Sequence, residues 1–201
     1  MSSSSLAGWV LASTNPGKLA EFRELLAGTP IALEALAPGS PRAPEETGLS
    51  FVENALIKAR HAARLTGRPA LADDSGLCVA ALGGAPGVHS ARYAGPGASD
   101  RANIQRLLRE LNGTAPGDRQ ASFHCVIAAV RHGDDPAPVI AAGRWSGLIV
   151  LEPRGSNGFG YDPVFLDPGL GRTAAELGPA EKNRVSHRAR ACAELRRLLG
   201  F

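Results

Sequence analysis

Cysteine is scarce in this chain of 201 residues, and its three cysteines, Cys78, Cys125 and Cys192, lie far apart in the sequence. There is no C-x-x-C pair, so we expect neither a disulfide framework nor a zinc site. Few and scattered cysteines are typical of proteins in a reducing compartment. We therefore expect a cytoplasmic protein.

Long hydrophobic runs are lacking as well. No apolar stretch reaches the roughly 18 residues that a membrane-spanning helix needs, so we expect no membrane partner. The opening MSSSSLAG has neither a charged segment nor a long apolar one, and we expect a flexible tail over residues 1–7 rather than a signal peptide. The length, with a hydrophobic fraction of 44%, fits one domain or one two-lobed domain over residues 8–201.

Aromatic residues are few, at 5% of the chain, and its arginines are scattered rather than clustered. The formal net charge is only +3. Proteins that bind nucleic acid concentrate basic residues with aromatic ones or carry a known reading motif. We therefore expect no nucleic-acid partner.

Lysine is rare among the 22 basic residues, because all but Lys18, Lys58 and Lys182 are arginines. An ammonium group is a compact, strongly hydrated charge, which suits phosphate oxygens. The three lysines are therefore candidate phosphate contacts, with chance retention as the alternative.

Several catalytic motifs are absent, among them H-E-x-x-H and G-x-S-x-G. The stretch LASTNPGKL at 11–19 fails the P-loop pattern, since Ala12 and Leu19 stand where Gly and Ser or Thr are required. Instead, it predicts a strand over 9–13, a loop, and a helix that Asn15 caps and Pro16 begins. Such a loop offers backbone N–H groups and Lys18 to an anion. Without the P-loop hydroxyl, a metal ion needs ligands from elsewhere.

The remaining pattern predicts an α/β fold with a mixed sheet, because helices and strands alternate early and paired strands come late. Ser50 and Glu53 stand at capping-box spacing before a helix that reaches Gly67, and Asp100 is expected to cap another. The other expected features are a strand at 31–36, a strand from Ala70 that ends in DDSG, an irregular segment at 83–97, paired strands at 121–131 and 139–151, and a last helix that carries Val185 and ends at Leu199.

Two acidic pairs are candidates for metal binding. Asp73 and Asp74 follow an apolar strand, and ligands of α/β proteins lie at the carboxyl ends of strands. Adjacent carboxylates suit Mg²⁺, which takes hard oxygen ligands. Glu45 and Glu46 precede the helix that carries Lys58, and they are either metal ligands or charges that favour a helix start.

The glycine-rich PRGSNGFGYDP at 153–163 does not match the dinucleotide fingerprint, because Pro163 takes the place of the last glycine. It offers Phe159 and Tyr161 as stacking faces for a base, together with Asp162; a buried turn is the alternative. The segment EKNRVSHR at 181–188 is dense in polar donors, with a solvated helix start as its alternative.

Five motifs in order resemble those of the inosine/xanthosine triphosphate pyrophosphatase family, which is also described as Ham1-like. They are S-x-N-x-x-K at 13–18, E-T-G-x-S-F-x-E-N-A-x-x-K-A at 46–59, A-D-D-S-G-L with G-G-A-P-G at 72–87, G-F-G-Y-D-P at 158–163 and E-K-N-R-x-S-H-R at 181–188. The resemblance implies hydrolysis of ITP, dITP and XTP to the monophosphate and pyrophosphate with Mg²⁺. It also implies an elongated mixed β-sheet flanked by helices, two lobes around a central active-site cleft, and a homodimer.

The resemblance further implies roles for residues of this chain. Glu46 and Asp74 serve the metal, Asp74 is the general base, and Ser75 lies beside it. Lys58 assists in phosphate binding, for which the resemblance implies Ser13, Thr14, Asn15, Pro16, Gly17 and Lys18. The residues implied to hold the rest of the nucleotide are Phe159, Gly160, Tyr161, Asp162, Lys182, His187 and Arg188.

Other functions remain open at this point. A non-catalytic purine nucleotide sensor needs the lysines and glycine-rich loops but no general base, and the pairing of Glu46 with Asp74 argues against it. A basic nucleic-acid-binding module needs clustered arginines and aromatics, which are absent. The nearest rival among enzymes is a related hydrolase that removes other damaged nucleotides.

Overall fold

The computed structural model describes residues 8–13, 16–37 and 44–201, and they form an α/β fold around one mixed sheet. The order of its seven strands is β2-β1-β3-β4-β5-β6-β7. The strands are β1 (Trp9–Leu11), β2 (Leu33–Ala35), β3 (Ala70–Val79), β4 (Gln120–Val130), β5 (Val139–Ile149), β6 (Phe165–Asp167) and β7 (Arg172–Thr173). The helices are α1 (Pro16–Leu25), α2 (Phe51–Thr66), α3 (Asp100–Glu110), α4 (Pro179–Val185) and α5 (His187–Leu199). The predicted mixed sheet with flanking helices is confirmed.

The chain divides into two compact units. The first unit comprises the described residues up to Asp74, together with Cys125–Gly143 and Ala191–Phe201. The second unit comprises Ser75–His124 and Arg144–Arg190. The predicted tail at 1–7 lies outside the described residues, and the assignment of 8–201 to a single domain stays a prediction. No helix in the described part of the chain is long and apolar enough to cross a membrane.

The first unit is organised around parallel strands. β1 is buried throughout and pairs in parallel with β2, Val10 facing Glu34, and with β3, Leu11 facing Leu71. Helix α1 contributes Phe22 to the same core. The strand at 9–13 is shorter than expected, but its position and the helix start at Pro16 are confirmed. The predicted cap, Asn15, lies outside the described residues.

Helix α2 is set by its caps and by small residues. Ser50 Oγ accepts the Glu53 N–H at the N-terminus, and Gly67 ends the helix in a left-handed conformation with φ of 66°. Both predicted ends are therefore confirmed. The buried side chains of the helix include four alanines, which pack with alanines of β3 and β4. Small side chains on both elements allow the helix to lie close to these strands, and this fixes where Asn54 and Lys58 project.

Strand β3 is longer than the sequence predicted. The expectation that it ends in DDSG is wrong, because it continues through Val79. Strand β1 ends at Leu11, opposite Leu71, so the two aspartates lie just beyond the parallel pairing of β1 with β3. Asp73 and Asp74 therefore lie in the middle of β3, just beyond the point where the neighbouring strand β1 ends.

The second unit has an aromatic core. Phe123, Trp145, Tyr161 and Phe165 are buried in one cluster with apolar residues of α3. Two predictions within this unit are corrected. Ser99 rather than Asp100 caps α3, since Ser99 Oγ accepts the Ala102 N–H. The segment at 83–97 is not wholly irregular either, because Gly87–Arg92 form a 3-10 helix.

The last predicted helix is in fact two helices. Ser186 is extended, with ψ of 158°, and it separates α4 from α5. Its hydroxyl accepts the Ala189 N–H, which caps α5. Val185 thus belongs to α4, and the break places His187 and Arg188 in the first turn of α5.

Candidate active site

The first site residues in the chain lie where α1 begins. Lys18 Nζ forms an ion pair with Asp73 Oδ1 at 2.7 Å. Asp73 is buried, and Lys18 remains partly open to solvent. Ser13 follows β1, and Gly17 is the second residue of α1. Thr14 and Asn15 lie outside the described residues, and Pro16 is the first residue of α1.

Lys58 connects two carboxylates of the first unit. Its Nζ donates to Glu46 Oε1 at 2.8 Å and to Asp74 Oδ1 at 2.7 Å. Lys58 lies two turns into α2, whereas Glu46 precedes that helix and Asp74 lies on β3. Two negative oxygens therefore converge on one cation, although they are 28 residues apart in the sequence. Glu45, in contrast, is exposed.

Asn54 forms hydrogen bonds both with the segment that contains Glu46 and with Asp74. Its side chain is completely buried, its Oδ1 accepts the Gly48 N–H at 2.8 Å, and its Nδ2 donates to Asp74 Oδ2 at 3.4 Å. A Cβ at position 48 would stand 2.5 Å from the Glu53 Cβ, so glycine is required there. The amide orientation follows from the Gly48 contact, which leaves the donor end to face Asp74.

The electrostatic environment of Asp74 favours its use as a base. Burial raises its pKa above the usual value; Lys58 opposes this rise, and the charge of Glu46 adds to it. For Lys58, burial acts to lower the pKa, but Asp74 and Glu46 outweigh it, so the net shift is upward. Lys58 therefore stays charged, while Asp74 becomes a better proton acceptor than an exposed aspartate.

The same carboxylates fit a divalent cation. Within the described ranges, no group of three or more His, Cys, Asp or Glu side chains is arranged to hold a metal ion. Mg²⁺ often takes only one or two protein carboxylates, with water and phosphate oxygens as its other ligands. Glu46 and Asp74 supply hard oxygens that already converge on a positive charge, so their chemistry suits this ion.

In the second unit, a loop presents Phe159. Phe159 is 54% exposed, and Lys182 Nζ lies 5.1 Å and Arg188 Cζ 5.6 Å from its ring centroid. Asp162 holds the loop, because its Oδ2 accepts both the Phe159 N–H, at 2.9 Å, and a hydrogen bond from Lys182. A Cβ at position 158 would collide with that oxygen, so Gly158 is needed for this loop conformation. Burial raises the pKa of Asp162, and Lys182 opposes the rise.

Hydroxyl groups of Tyr161 and Ser90 fix the backbone next to the Phe159 loop through hydrogen bonds. Tyr161 is buried, and its hydroxyl donates to the Ser90 carbonyl at 2.9 Å. Ser90 Oγ accepts the Leu77 N–H at 2.9 Å and donates to the Gly87 carbonyl. Tyr161 therefore anchors the 3-10 helix at 87–92 instead of presenting an exposed face like that of Phe159.

His187 and Arg188 lie in the first turn of α5 and are both buried. The imidazole ring of His187 stacks on Phe123, with ring centroids 4.8 Å apart and planes 13° from parallel. All predicted site residues of the second unit line one cavity of about 140 Å³; they are Ser75, residues 159–162, Lys182, His187 and Arg188. The cavity thus combines an exposed aromatic face with cationic and imidazole donors.

Most of the predicted site residues that the structure describes fall into two groups. One group consists of Lys58, Glu46 and Asp74, and the ion pair of Lys18 with Asp73 lies next to it because Asp73 precedes Asp74 on β3. The other group consists of the cavity residues. The sequence did not predict roles at the site for Asn54 and Phe123. Asn54 was visible only as part of the E-N-A motif, and Phe123 gave no signal because it is one apolar residue within a strand.

Comparison with known proteins identifies the family of the chain. The sequence profile described as the Ham1 family matches residues 9–198. The chain therefore belongs to the Ham1 family. A solved structure of a HAM1 protein from Coxiella burnetii has a TM-score of 0.90 and 55% sequence identity, covering 96% of this chain and 98% of that one. The Ham1 protein of Staphylococcus aureus has a TM-score of 0.85 at 41% identity, with the same coverage of each chain.

Curated relatives give the activity of similar chains. A dITP/XTP pyrophosphatase from Ralstonia nicotianae is 61% identical over 191 residues, which cover 92% of this chain and 93% of that protein. A protein of the same description from Coxiella burnetii is 56% identical over 190 residues, 94% of this chain and 95% of that protein.

Proposed function

We propose that this chain is a hydrolase that cleaves the α–β phosphoanhydride bond of ITP, dITP and XTP, giving the nucleoside monophosphate and pyrophosphate. The observation that carries the proposal is the convergence of Glu46 and Asp74 on Lys58 Nζ, within 2.8 Å of each. Relatives up to 61% identical are named dITP/XTP pyrophosphatases, which supports the same substrates here.

The first unit holds the phosphates in this proposal. Lys18 and Lys58 supply ammonium groups, and the segment from Ser13 into the first turn of α1, which begins at Pro16, supplies backbone N–H groups. Asp73 pairs with Lys18 at 2.7 Å and restricts where that ammonium group can point. The phosphate-binding role of this segment rests on the family resemblance.

Glu46 and Asp74 would hold the Mg²⁺ ion. When bound, such an ion neutralises phosphate charge and lowers the pKa of coordinated water. Asp74 orients the attacking water and accepts its proton on a carboxylate oxygen. Lys58 and Asn54 hold the two oxygens of that carboxylate, so its orientation is set before the substrate arrives. Most of the rate enhancement then comes from positioning and charge stabilisation.

The second unit selects the base. Phe159 offers a stacking face, and His187 and Arg188 supply donors in the cavity. Hypoxanthine and xanthine have a carbonyl at purine position 6, which accepts these hydrogen bonds. Adenine has an amino group there, which would leave buried donors unpaired. Sites built on such hydrogen bonds discriminate by about 10⁴–10⁵.

The biological consequence is removal of non-standard purine nucleotides before they enter DNA and RNA. The proposal includes a homodimer and a cytoplasmic location, with no nucleic-acid or membrane partner. The homodimer rests on the family resemblance, and the location on the scarcity of cysteines.

The test is the identity of the products from XTP. XTP is incubated with the protein and Mg²⁺, and the products are separated by anion-exchange chromatography. We expect XMP and pyrophosphate in equal amounts. XDP and orthophosphate would place cleavage at the γ-phosphate and overturn the proposal. XTP binding without any product would favour the non-catalytic sensor, which the names of the relatives do not favour.

A further inference from the structure

The ring of Phe123 stacks on His187 inside the second unit, and both residues line the cavity. The centroids are 4.8 Å apart and the planes differ by only 13°, so the two rings are stacked and nearly parallel. A stacked imidazole can slide or rotate in its own plane, but it cannot tilt without losing contact with the phenyl ring.

Phe123 is itself held from behind by other aromatic rings. Its centroid lies 4.5 Å from that of Phe165, and Phe165 meets Trp145 edge to face at 4.9 Å. Trp145 is fixed in turn, because its Nε1–H donates to Asp167 Oδ2 at 2.7 Å. Phe123, Trp145 and Phe165 are buried, so this aromatic column, which ends at His187, is a rigid support.

The backbone of His187 is fixed independently of the column. Ser186 is buried and extended, and its hydroxyl caps α5 through the Ala189 N–H. The cap determines the direction in which the His187 side chain projects from α5, and the Phe123 ring determines the plane of the imidazole. Together they leave the His187 ring little freedom beyond the choice of which edge faces the cavity.

We propose that Phe123 is a specificity-determining positioning residue, which sets the imidazole plane of His187 so that a ring nitrogen can hydrogen-bond the 6-carbonyl of a purine. This inference rests on the proposed function, since it names the residue that gives the proposed base reader its orientation. Hydrogen bonds weaken steeply when the donor is misaligned, so a tilted imidazole would discriminate poorly between a carbonyl and an amino group.

The test is the ratio of kcat/KM for dITP to that for dATP in the Phe123→Leu variant. The two substrates share the sugar and phosphates and differ in the base at position 6. We expect the ratio to fall by about tenfold, the loss expected when one hydrogen bond is badly aligned. A ratio equal to that of the wild type would overturn the inference.

A matched control is Phe22→Leu. This substitution makes the same truncation at a fully buried phenylalanine in the core of the first unit, outside both the aromatic column and the cavity. It should lower the melting temperature as Phe123→Leu does and leave the dITP/dATP ratio unchanged. An equal fall in the ratio for both variants would mean that general loosening of the core, and not Phe123, sets selectivity.

Two further variants keep the result interpretable. In a His187→Ala background, Phe123→Leu should not change the ratio further; an undiminished additional effect would show that Phe123 acts on the base directly and would overturn its action through His187. If Phe123→Leu does not fold, Phe123→Tyr retains the ring and should keep the wild-type ratio, and a tenfold fall in that variant would count against the inference.

The inference can fail separately from the proposed function. If the wild type releases no pyrophosphate from dITP, the proposed function fails. The role of Phe123 is then tested by the affinities of the protein for nucleotides with different bases. Equilibrium dialysis with IMP and AMP measures base preference without turnover. A lower IMP/AMP affinity ratio in Phe123→Leu than in the wild type would still support the inference, and equal ratios would overturn it.

Discussion

Lys58 Nζ lies 2.7 Å from Asp74 Oδ1, and the same ammonium group lies 2.8 Å from Glu46 Oε1. Lys58 thereby offsets the repulsion between two carboxylates that would otherwise disfavour each other in a partly buried position. Because their oxygens converge on one positive charge, we propose the same two carboxylates as ligands of Mg²⁺. The predictions for the first unit depend on this relationship.

Replacement of Asp74 by Asn should remove most turnover and leave nucleotide binding largely intact. The amide keeps the shape of the side chain but is not a base, and loss of a general base costs about 10²–10⁴ in rate. Pyrophosphate release from XTP measures kcat, and calorimetric titration with a slowly hydrolysed analogue measures binding. The exposed Asp118→Asn serves as a control for loss of one carboxylate. A near-normal rate in Asp74→Asn would show that Asp74 is not the base.

Replacement of Lys58 by Met should make the protein less stable in metal-free buffer and more responsive to Mg²⁺. Removing one partner of a largely buried ion pair costs about 3 kcal/mol, because Glu46 and Asp74 are left facing each other without a cation. Added Mg²⁺ should then raise the melting temperature of the variant more than that of the wild type.

The control for this prediction is Arg64→Met. It breaks the Arg64–Asp134 pair, whose side chains are 59% and 83% exposed, so it should cost no more than about 1 kcal/mol. If Mg²⁺ does not raise the melting temperature of Lys58→Met, the two carboxylates are not the metal ligands.

Replacement of Asn54 by Asp should lower kcat by about tenfold or more and change KM little. The substitution replaces a donor that faces Asp74 Oδ2 with an oxygen that repels it, and hydrogen bonds to charged groups contribute about 1.5–3 kcal/mol. Steady-state kinetics with XTP would separate the two constants. Asn112→Asp, on an exposed turn, adds the same charge elsewhere. A wild-type kcat in Asn54→Asp would exclude a role for Asn54 in orienting the base.

Replacement of Arg188 by Ala should narrow the preference for ITP over ATP. Arg188 is only 1% exposed and lines the cavity, so its guanidinium is a donor that few waters can replace. The ratio of kcat/KM for ITP and ATP is the measurement, with circular dichroism to establish that the variant is folded. The exposed Arg184→Ala, four residues earlier, should keep the wild-type ratio. An unchanged ratio in Arg188→Ala would move base selection to other residues.

The parts of the fold that were predictable have local causes. The Ser50 cap and the Gly67 terminus of α2 each depend on the side chain or conformation of one residue, so the sequence revealed both. The length of β3 was not predictable, because Asp73 and Asp74 are poor strand formers, and only the sheet neighbours of the strand carry it through them. Strands β6 and β7 are too short to show any periodicity.

In the candidate site, too, local motifs were predictable and contacts between distant residues were not. Family motifs predicted Glu46, Lys58 and Asp74, and the structure adds that they meet at one nitrogen. The break at Ser186 was hidden, because Val185 and the apolar residues of α5 fit one continuous helical pattern. The contact of Phe123 with His187 joins residues 64 positions apart, and no local pattern encodes such a distant pair.

The decisive measurement compares pyrophosphate release from dITP and dATP by the wild-type protein with Mg²⁺. We expect pyrophosphate and dIMP from dITP, with kcat/KM exceeding that for dATP by about 10⁴ or more. Equal rates for the two substrates, or orthophosphate as the product from dITP, would contradict it.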